Sequence, residues 1–277
     1  MRRLLRYAMV YSRLFCEPRP GVVAHSLASR LLAEEPLLRD GLWLLADDHA
    51  KSATHTVAAL ERWGTEPQAA NHTPFNLANN TDKSTFEYMG GEDPAGREMG
   101  RRFALAMSSF ARFPSRPTAG SRSSGMVAAY PWADLGSATV VDIGGSRGAD
   151  AVHLAGWYPD LSFVVQDIPA MIEGAAEALP LELRERIRFM PYDFFTPQTF
   201  TADVYLIKQC LHNWSDHHCV QILQNLVPAL RTGSRLLILD SLVPPPGTMS
   251  LMDEKNVRFV ALFLLKAHLR ILTADGF

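Results

Sequence analysis

The chain has little of several things, and each shortage excludes a class of function. Cysteine is scarce: Cys16, Cys210 and Cys219 are the whole complement in 277 residues, and their spacing forms no metal-ligand set. So few cysteines suit a reducing compartment, where a free thiol behaves as a small hydrophobe. Charge of one sign is lacking too. Lys and Arg number 27 against 29 Asp and Glu, for a net charge of −2. That balance argues against a nucleic-acid groove or an anionic membrane surface as the main partner. No apolar run approaches the roughly 20 residues of a membrane span. The basic start, Met1-Arg-Arg-Leu-Leu-Arg-Tyr7, meets Arg13 and Glu17 before any clean apolar core of a signal peptide. Internal repeats and low-complexity tracts are missing as well. The expectation is a cytoplasmic protein with no membrane and no nucleic acid among its partners.

What is present is enough apolar residue, 47% of the chain, for one large domain and a smaller one. Residues 1–112 read as helical, with Leu4, Leu5, Ala8 and Met9, then Leu27, Leu31 and Leu32, then Phe103, Leu105 and Ala106 at helical spacing. Pro18, Pro20 and Gly21 separate the first helix from the second, and the polar stretch Gln68 to Asp82 reads as a loop. A linker is expected over 113–130, because Phe113 to Gly125 is rich in Pro, Ser and Gly. Over 131–277 strand and helix alternate, with strands near 138–143, 162–167, 187–190, 203–208 and 235–241. Ser215 opens a helix before the last strand and Gly233 closes it. Such βα repetition predicts an α/β fold: a doubly wound, mostly parallel sheet that binds ligands at the carboxyl ends of its strands.

The chemistry collects at those strand ends. Val140-Val-Asp-Ile-Gly-Gly-Ser-Arg-Gly148 is an apolar run turning through glycines into a helix, and Asp167 ends the next strand 23 residues after Gly144. Glycines at 144, 145 and 148 let the backbone take positive φ and let a ligand approach closely. An acid at the tip of the second strand is where such folds hold the ribose hydroxyls of an adenosine cofactor. After the third strand, Asp193 can accept from an adenine amino group while Phe194 covers the ring; the plainer reading is a turn aspartate beside core aromatics. Lys208, His212 and Trp214 cluster past the fourth strand, and Asp240 ends the fifth, close to His212 or simply solvated.

These segments resemble the S-adenosylmethionine-dependent O-methyltransferases of the caffeate and fungal natural-product type. The resemblance is carried by VVDIGGSRG at 140–148, YPDLSFVVQDIP at 158–169, YDFF at 192–195, LHNWSD at 211–216 and ILDSLVP at 238–244. Upstream, GVVAHSLASRLLAEEPLLRDGL at 21–42 and FEYM at 86–89 extend it over most of the chain. It implies a Rossmann-like catalytic domain behind a helical, winged-helix-derived dimerisation domain. It further implies S-adenosyl-L-methionine as cofactor, with Gly144 and Gly145 at its methionine end, Asp167 at the ribose, Asp193 and Phe194 at the adenine, and Lys208 and Trp214 completing the pocket. His212 takes the place of the general base and Asp240 that of the carboxylate orienting it, an Asp where Glu is usual. A phenol titrates near roughly 10 and an imidazole near about 6.5, so the pairing suits neutral pH. No metal is implied. The acceptor is a small hydroxylated metabolite, phenolic or enolic, whose identity the residues do not name.

On this alignment the chain begins partway into the winged-helix portion and stops before the family's closing β-hairpin. Leu269 stands where a second glutamate is usual, with His268 or Glu254 as the candidates to supply a polar group in its stead. The expected assembly is a homodimer, or dependence on a related chain. Besides the active enzyme, two other readings stay open: a methyltransferase-like protein that binds cofactor or a partner without turnover, and a nicotinamide oxidoreductase on the same topology. LHNWSD and YDFF argue against the latter.

Overall fold

The computed structural model describes residues 1–65, 67–112, 126–127, 130–240 and 245–264. Five parallel strands form its centre: β3 (Thr139–Ile143), β4 (Ser162–Asp167), β5 (Ile187–Pro191), β6 (Val204–Lys208) and β7 (Arg235–Leu239), in the order β5-β4-β3-β6-β7. All five fall where the apolar runs predict them. Side chains alternate across the sheet, as a period of two requires. Val140, Phe163, Val165, Val204 and Leu206 enter one core layer, which the helix Ala149–Trp157 covers with Ala151, Leu154 and Ala155. Val141, Val164, Tyr205 and Ile207 enter the other, covered by Ile222 and Leu226 of the helix Asp216–Leu226. Strand order reverses at β3, because β4 and β5 lie to one side and β6 and β7 to the other. A crevice opens at the carboxyl ends of strands at such a point.

The amino-terminal helices end in Pro94–Arg112, which packs on Pro36–Trp43 and on Thr85–Gly90. Phe75, Met89, Met99 and Ala104 form a third cluster there, and Met171, just after β4, joins it. Met89 is fully buried in this cluster. The first helix, Arg2–Tyr11, buries no residue, and Leu4, Tyr7, Val10 and Tyr11 are exposed along it.

Three expectations need correction. A short antiparallel ribbon, β1 (Cys16–Arg19) with β2 (Val22–Ala24), lies between the first two helices, turning at Gly21 with φ +81°. The polar stretch 68–82 contains a helix, Pro74–Asn79, where Pro74 sits at a first-turn position that needs no N–H. Polarity masked that signal. The helix after Ser215 ends at Leu226, well before Gly233, since Pro228 cannot continue the ladder; a tighter turn, Val227–Ala229, follows. Most of the expected linker 113–130, with His268 and Leu269, lies outside the described residues.

Candidate active site

The loop after β3 departs from its reading in an informative way. Gly144 and Gly148 have φ of +72° and +73°, and so does the non-glycine Ser146 at +49°, but Gly145 does not. Gly145 is needed for room: a Cβ there would lie 2.5 Å from Asp142 Oδ2 and 2.8 Å from Val165 Cγ1. The N–H groups of Gly144 and Gly145 both turn inward, donating to Gln166 O at 2.7 and 3.2 Å. The loop is therefore stitched to β4 before any ligand arrives.

Asp167 is part of the same stitching. Its Oδ2 accepts from the Ser146 N–H and its Oδ1 from the Ile168 N–H, both at 2.8 Å. Burial pushes its carboxyl up to about 6, while those two N–H groups pull the other way. An ionised carboxylate offers about four lone-pair sites. Two remain, the number a ribose diol uses.

Asp193 is exposed, and its Oδ1 accepts from the Phe195 N–H at 2.9 Å, so it does serve as a turn aspartate. One oxygen is left for a ligand. Phe194 is half-buried; Asn225 Nδ2 donates to its carbonyl at 3.2 Å. Trp214 is buried, with Phe194, Phe195 and Phe86 rings at 5.7, 4.7 and 5.6 Å. Its main surroundings are aromatic core. Phe86 brings the amino-terminal helices into that cluster, and the Ser215 hydroxyl adds a bond to Gln68 O at 3.0 Å. Ser215 holds the N-cap position of its helix, yet its hydroxyl serves this bridge and not the cap.

Lys208, at the end of β6, is bound to Asp150 in the first turn of the helix after the glycine loop, Nζ to Oδ1 2.5 Å. Beyond it, Leu211–Asn213 forms a single tight turn that buries His212. Asp240 accepts from His212 twice, by a short bond to Nδ1 and by Oδ2 from the backbone N–H at 3.2 Å. With Nδ1–H committed to a carboxylate, the ring's lone pair resides on Nε2, the tautomer a general base requires. Glu254 pairs with Arg258 on its own helix at 3.1 Å.

Two residues of this neighbourhood escaped the reading of the motifs. Asp150 pairs with a lysine 58 residues away, a relation no local spacing reveals. Asp142 belongs to the glycine motif but reads there as a plain strand end; it is buried, with Oδ2 unpartnered. Among the described residues no group of three or more His, Cys, Asp or Glu is placed to hold a metal ion, and no helix is long and apolar enough to cross a membrane.

The sequence and the fold both have known relatives. The O-methyltransferase domain matches residues 127–269. The grayanic acid biosynthesis cluster O-methyltransferase of Cladonia grayi is 41% identical over 96% of this chain and 53% of its own length. The structure of the mitomycin 7-O-methyltransferase MmcR superposes with a TM-score of 0.75 at 28% identity, covering 99% of this chain and 74% of that one. LepI in complex with S-adenosylmethionine gives 0.74 at 26%, covering 99% and 67%. The chain spans about 53–62% of the length of the first curated relatives it matches. With the sheet, the crevice and the sequence match in agreement, the chain belongs to the S-adenosylmethionine-dependent O-methyltransferase family of the caffeate and fungal natural-product type.

Proposed function

We propose that this chain binds S-adenosyl-L-methionine at the carboxyl ends of β3, β4 and β6 and methylates a phenolic or enolic hydroxyl of a small fungal secondary metabolite. The observation that carries the reading is the His212–Asp240 pair, which leaves Nε2 as the proton acceptor beside a crevice suited to a nucleoside. Asp167, with two lone pairs to spare, fits the ribose diol, and the free Asp193 oxygen with Phe194 fits the adenine. Gly144 and Gly145 shape the passage of the tail, Lys208 lies at its far end, and Trp214 backs the pocket. When bound, the cofactor supplies a methyl group that its sulfonium has already made electrophilic. His212 Nε2 takes the acceptor's hydroxyl proton as the oxygen attacks, and Asp240 stabilises the imidazolium that results. General-base help of this kind is worth about 10²–10⁴ in rate, and holding the reactants in line contributes beyond it.

The same reading divides the chain into a helical part over 1–112 that contributes to acceptor binding and dimerisation, a linker over 113–130, and a cofactor-binding part over 131–277. It places the protein in the cytoplasm as a homodimer or with a related chain; the exposed apolar face of Arg2–Tyr11 supports an assembly. Titration calorimetry with S-adenosylmethionine and S-adenosylhomocysteine, followed by turnover on a panel of phenols and enols, tests the proposal. Binding without methylation of any acceptor would replace the enzyme with a cofactor-binding protein. Absence of binding would end the reading.

A further inference from the structure

Two amides lie where the sheet has no use for polarity. Gln166 is 0% exposed and Gln198 is 3% exposed. Alternation along β4 turns Gln166 to the same core layer as Val164, and Met190, its partner in β5, packs against that layer too. A leucine or a methionine would fill the position and ask for no partner. A primary amide in such a place is tolerated only when its donors and acceptors are matched. These two match each other head to head. Gln198 Nε2 donates to Gln166 Oε1 at 2.7 Å, and Gln166 Nε2 returns a bond to Gln198 Oε1 at 3.3 Å. Met190 Sδ accepts from Gln166 Nε2 at 3.3 Å, and Gln198 Oε1 accepts from the Phe200 N–H at 2.9 Å. Apolar packing does not call for this pair, so its value lies in what it joins.

It joins β4 to the segment 192–200, which carries Asp193 and Phe194. The start of that segment is tied to the same strand, Tyr192 N–H donating to Asp167 O at 3.0 Å. From the other side, Asn225 of the helix Asp216–Leu226 holds it twice. Its Nδ2 donates to Phe194 O at 3.2 Å, and its carbonyl accepts from the Gln198 N–H at 2.8 Å. Phe194 and Phe195 also pack against Trp214, but apolar burial is non-directional and lets a segment slide. Hydrogen bonds fix distance and direction together. Gln166 meanwhile accepts from Gly144 and Gly145 at its backbone carbonyl. One residue thus refers the glycine loop and the segment 192–200 to a single strand.

We propose that Gln166, Gln198 and Asn225 are positioning residues for base recognition: their bonds set Asp193 and Phe194 relative to Asp167, and so fit the site to an adenine attached to the ribose that Asp167 receives. The inference rests on the cofactor reading above. The three act through the segment 192–200, without touching the ligand. Released from them, the segment keeps its apolar packing and still covers a purine, but the Asp193 carboxylate loses register with the amino group it accepts from. The amides therefore govern which base is preferred more than how firmly any purine is held.

The test measures two affinities on the whole chain: for S-adenosylhomocysteine, and for S-inosylhomocysteine, which carries an oxygen in place of the adenine amino group. The wild type is expected to prefer the first by about tenfold or more, the worth of one hydrogen bond to a carboxylate. Gln166→Leu and Asn225→Leu, close in size to the residues replaced, release the segment from opposite sides. Each is expected to reduce the preference to about threefold or less, while affinity for the inosyl compound stays within about twofold of wild type. A merely structural role would weaken both probes alike and leave their ratio unchanged. Melting curves certify the fold of each variant. Should Gln166→Leu fail to fold, because the Gln198 amide is left short of a partner, the half-buried Asn225 position decides. A wild-type ratio retained in either folded variant, a parallel loss of both probes, or equal wild-type affinity for the two overturns the positioning role and leaves the nucleoside site standing. A wild-type chain that binds neither probe overturns the cofactor reading, and this inference with it.

Discussion

Asp240 grips His212 at two points, the ring Nδ1 and the backbone N–H, and so sets the depth and the rotation of the imidazole together. The grip is built by strand pairing. β6 and β7 run in register to Lys208 and Leu239, and one more ladder bond follows, Gln209 N–H to Leu239 O at 2.8 Å. Gln209 then takes a φ of +51°, turning the chain so that His212 comes back over the end of β7. A short Asp reaches because the strand ends are brought this close.

His212→Ala is expected to leave cofactor affinity unchanged and to lower single-turnover methylation by about 10²–10⁴. Asp240→Asn should cost less, because it loosens orientation and weakens support of the imidazolium while leaving the base in place. Stopped reactions with a labelled methyl group measure both. A rate indifferent to His212→Ala would show that some other group takes the proton.

Asp167 predicts opposite pH trends for stability and for binding. Its carboxyl titrates near 3.8 when unfolded and at about 6 in the ligand-free fold, raised by burial. Between those values the folded state holds a proton that the unfolded state has released, so stability falls as pH rises through the window. The loss is at most about 3 kcal/mol. Cofactor affinity should move the other way, since a ribose diol is best received by the ionised carboxylate, and should level off above about pH 6. Asp167→Asn should flatten both trends. Denaturant melts and calorimetry from pH 4 to 8 are the measurements; an affinity that stays flat across pH 6 would separate Asp167 from the ligand.

Gly145→Ala is expected to destabilise the ligand-free chain by about 1–3 kcal/mol, the usual range for overpacking. The added Cβ meets Asp142 Oδ2 at 2.5 Å, so the effect should appear before any cofactor is added. Combining it with Asp142→Ala should return part of the loss, though Val165 Cγ1 at 2.8 Å keeps the site tight. Melting curves of the two single variants and the double decide this. Strict additivity would mean that the two positions do not touch.

The motif residues were legible because each sits next to a feature that local sequence records. Buried parallel strands read as apolar runs, and glycines follow β3 because the loop must pass over Asp142 and Val165. His212 and Asp240 follow two such strands, so parallel pairing in register was enough to bring them together. Asp150 with Lys208 was not legible, since the pair closes over 58 residues and depends on where a helix begins. The stitching of Gly144 and Gly145 to Gln166 was hidden for another reason: backbone hydrogen bonds carry no residue signature. Trp214 illustrates the limit of reading a motif as a pocket. Its place in LHNWSD is regular, yet four neighbouring rings, Phe86, Phe194, Phe195 and His218, claim most of its surface.

Phe86 packs against both the aromatic cluster at Trp214 and the methionine-rich cluster of the amino-terminal helices. Its ring stacks on Trp214 at 5.6 Å and 30° and meets Phe103 edge-on at 5.8 Å and 85°. Fully buried Phe→Ala changes cost about 3–5 kcal/mol. Phe86 is half-buried, so Phe86→Ala should cost about 1–3 kcal/mol on the same reasoning. The loss should fall mainly on the join between the amino-terminal helices and the sheet, because the ring packs at the margin of one core layer and is no part of the other. Limited proteolysis is therefore expected to cut within residues 67–112 first, with 139–239 cleaved at the wild-type rate. Phe86→Leu, which keeps most of the apolar area, should recover most of the protection. If Phe86→Ala accelerates cleavage across the strands as much as across the helices, the ring supports the whole fold, and the join lies elsewhere.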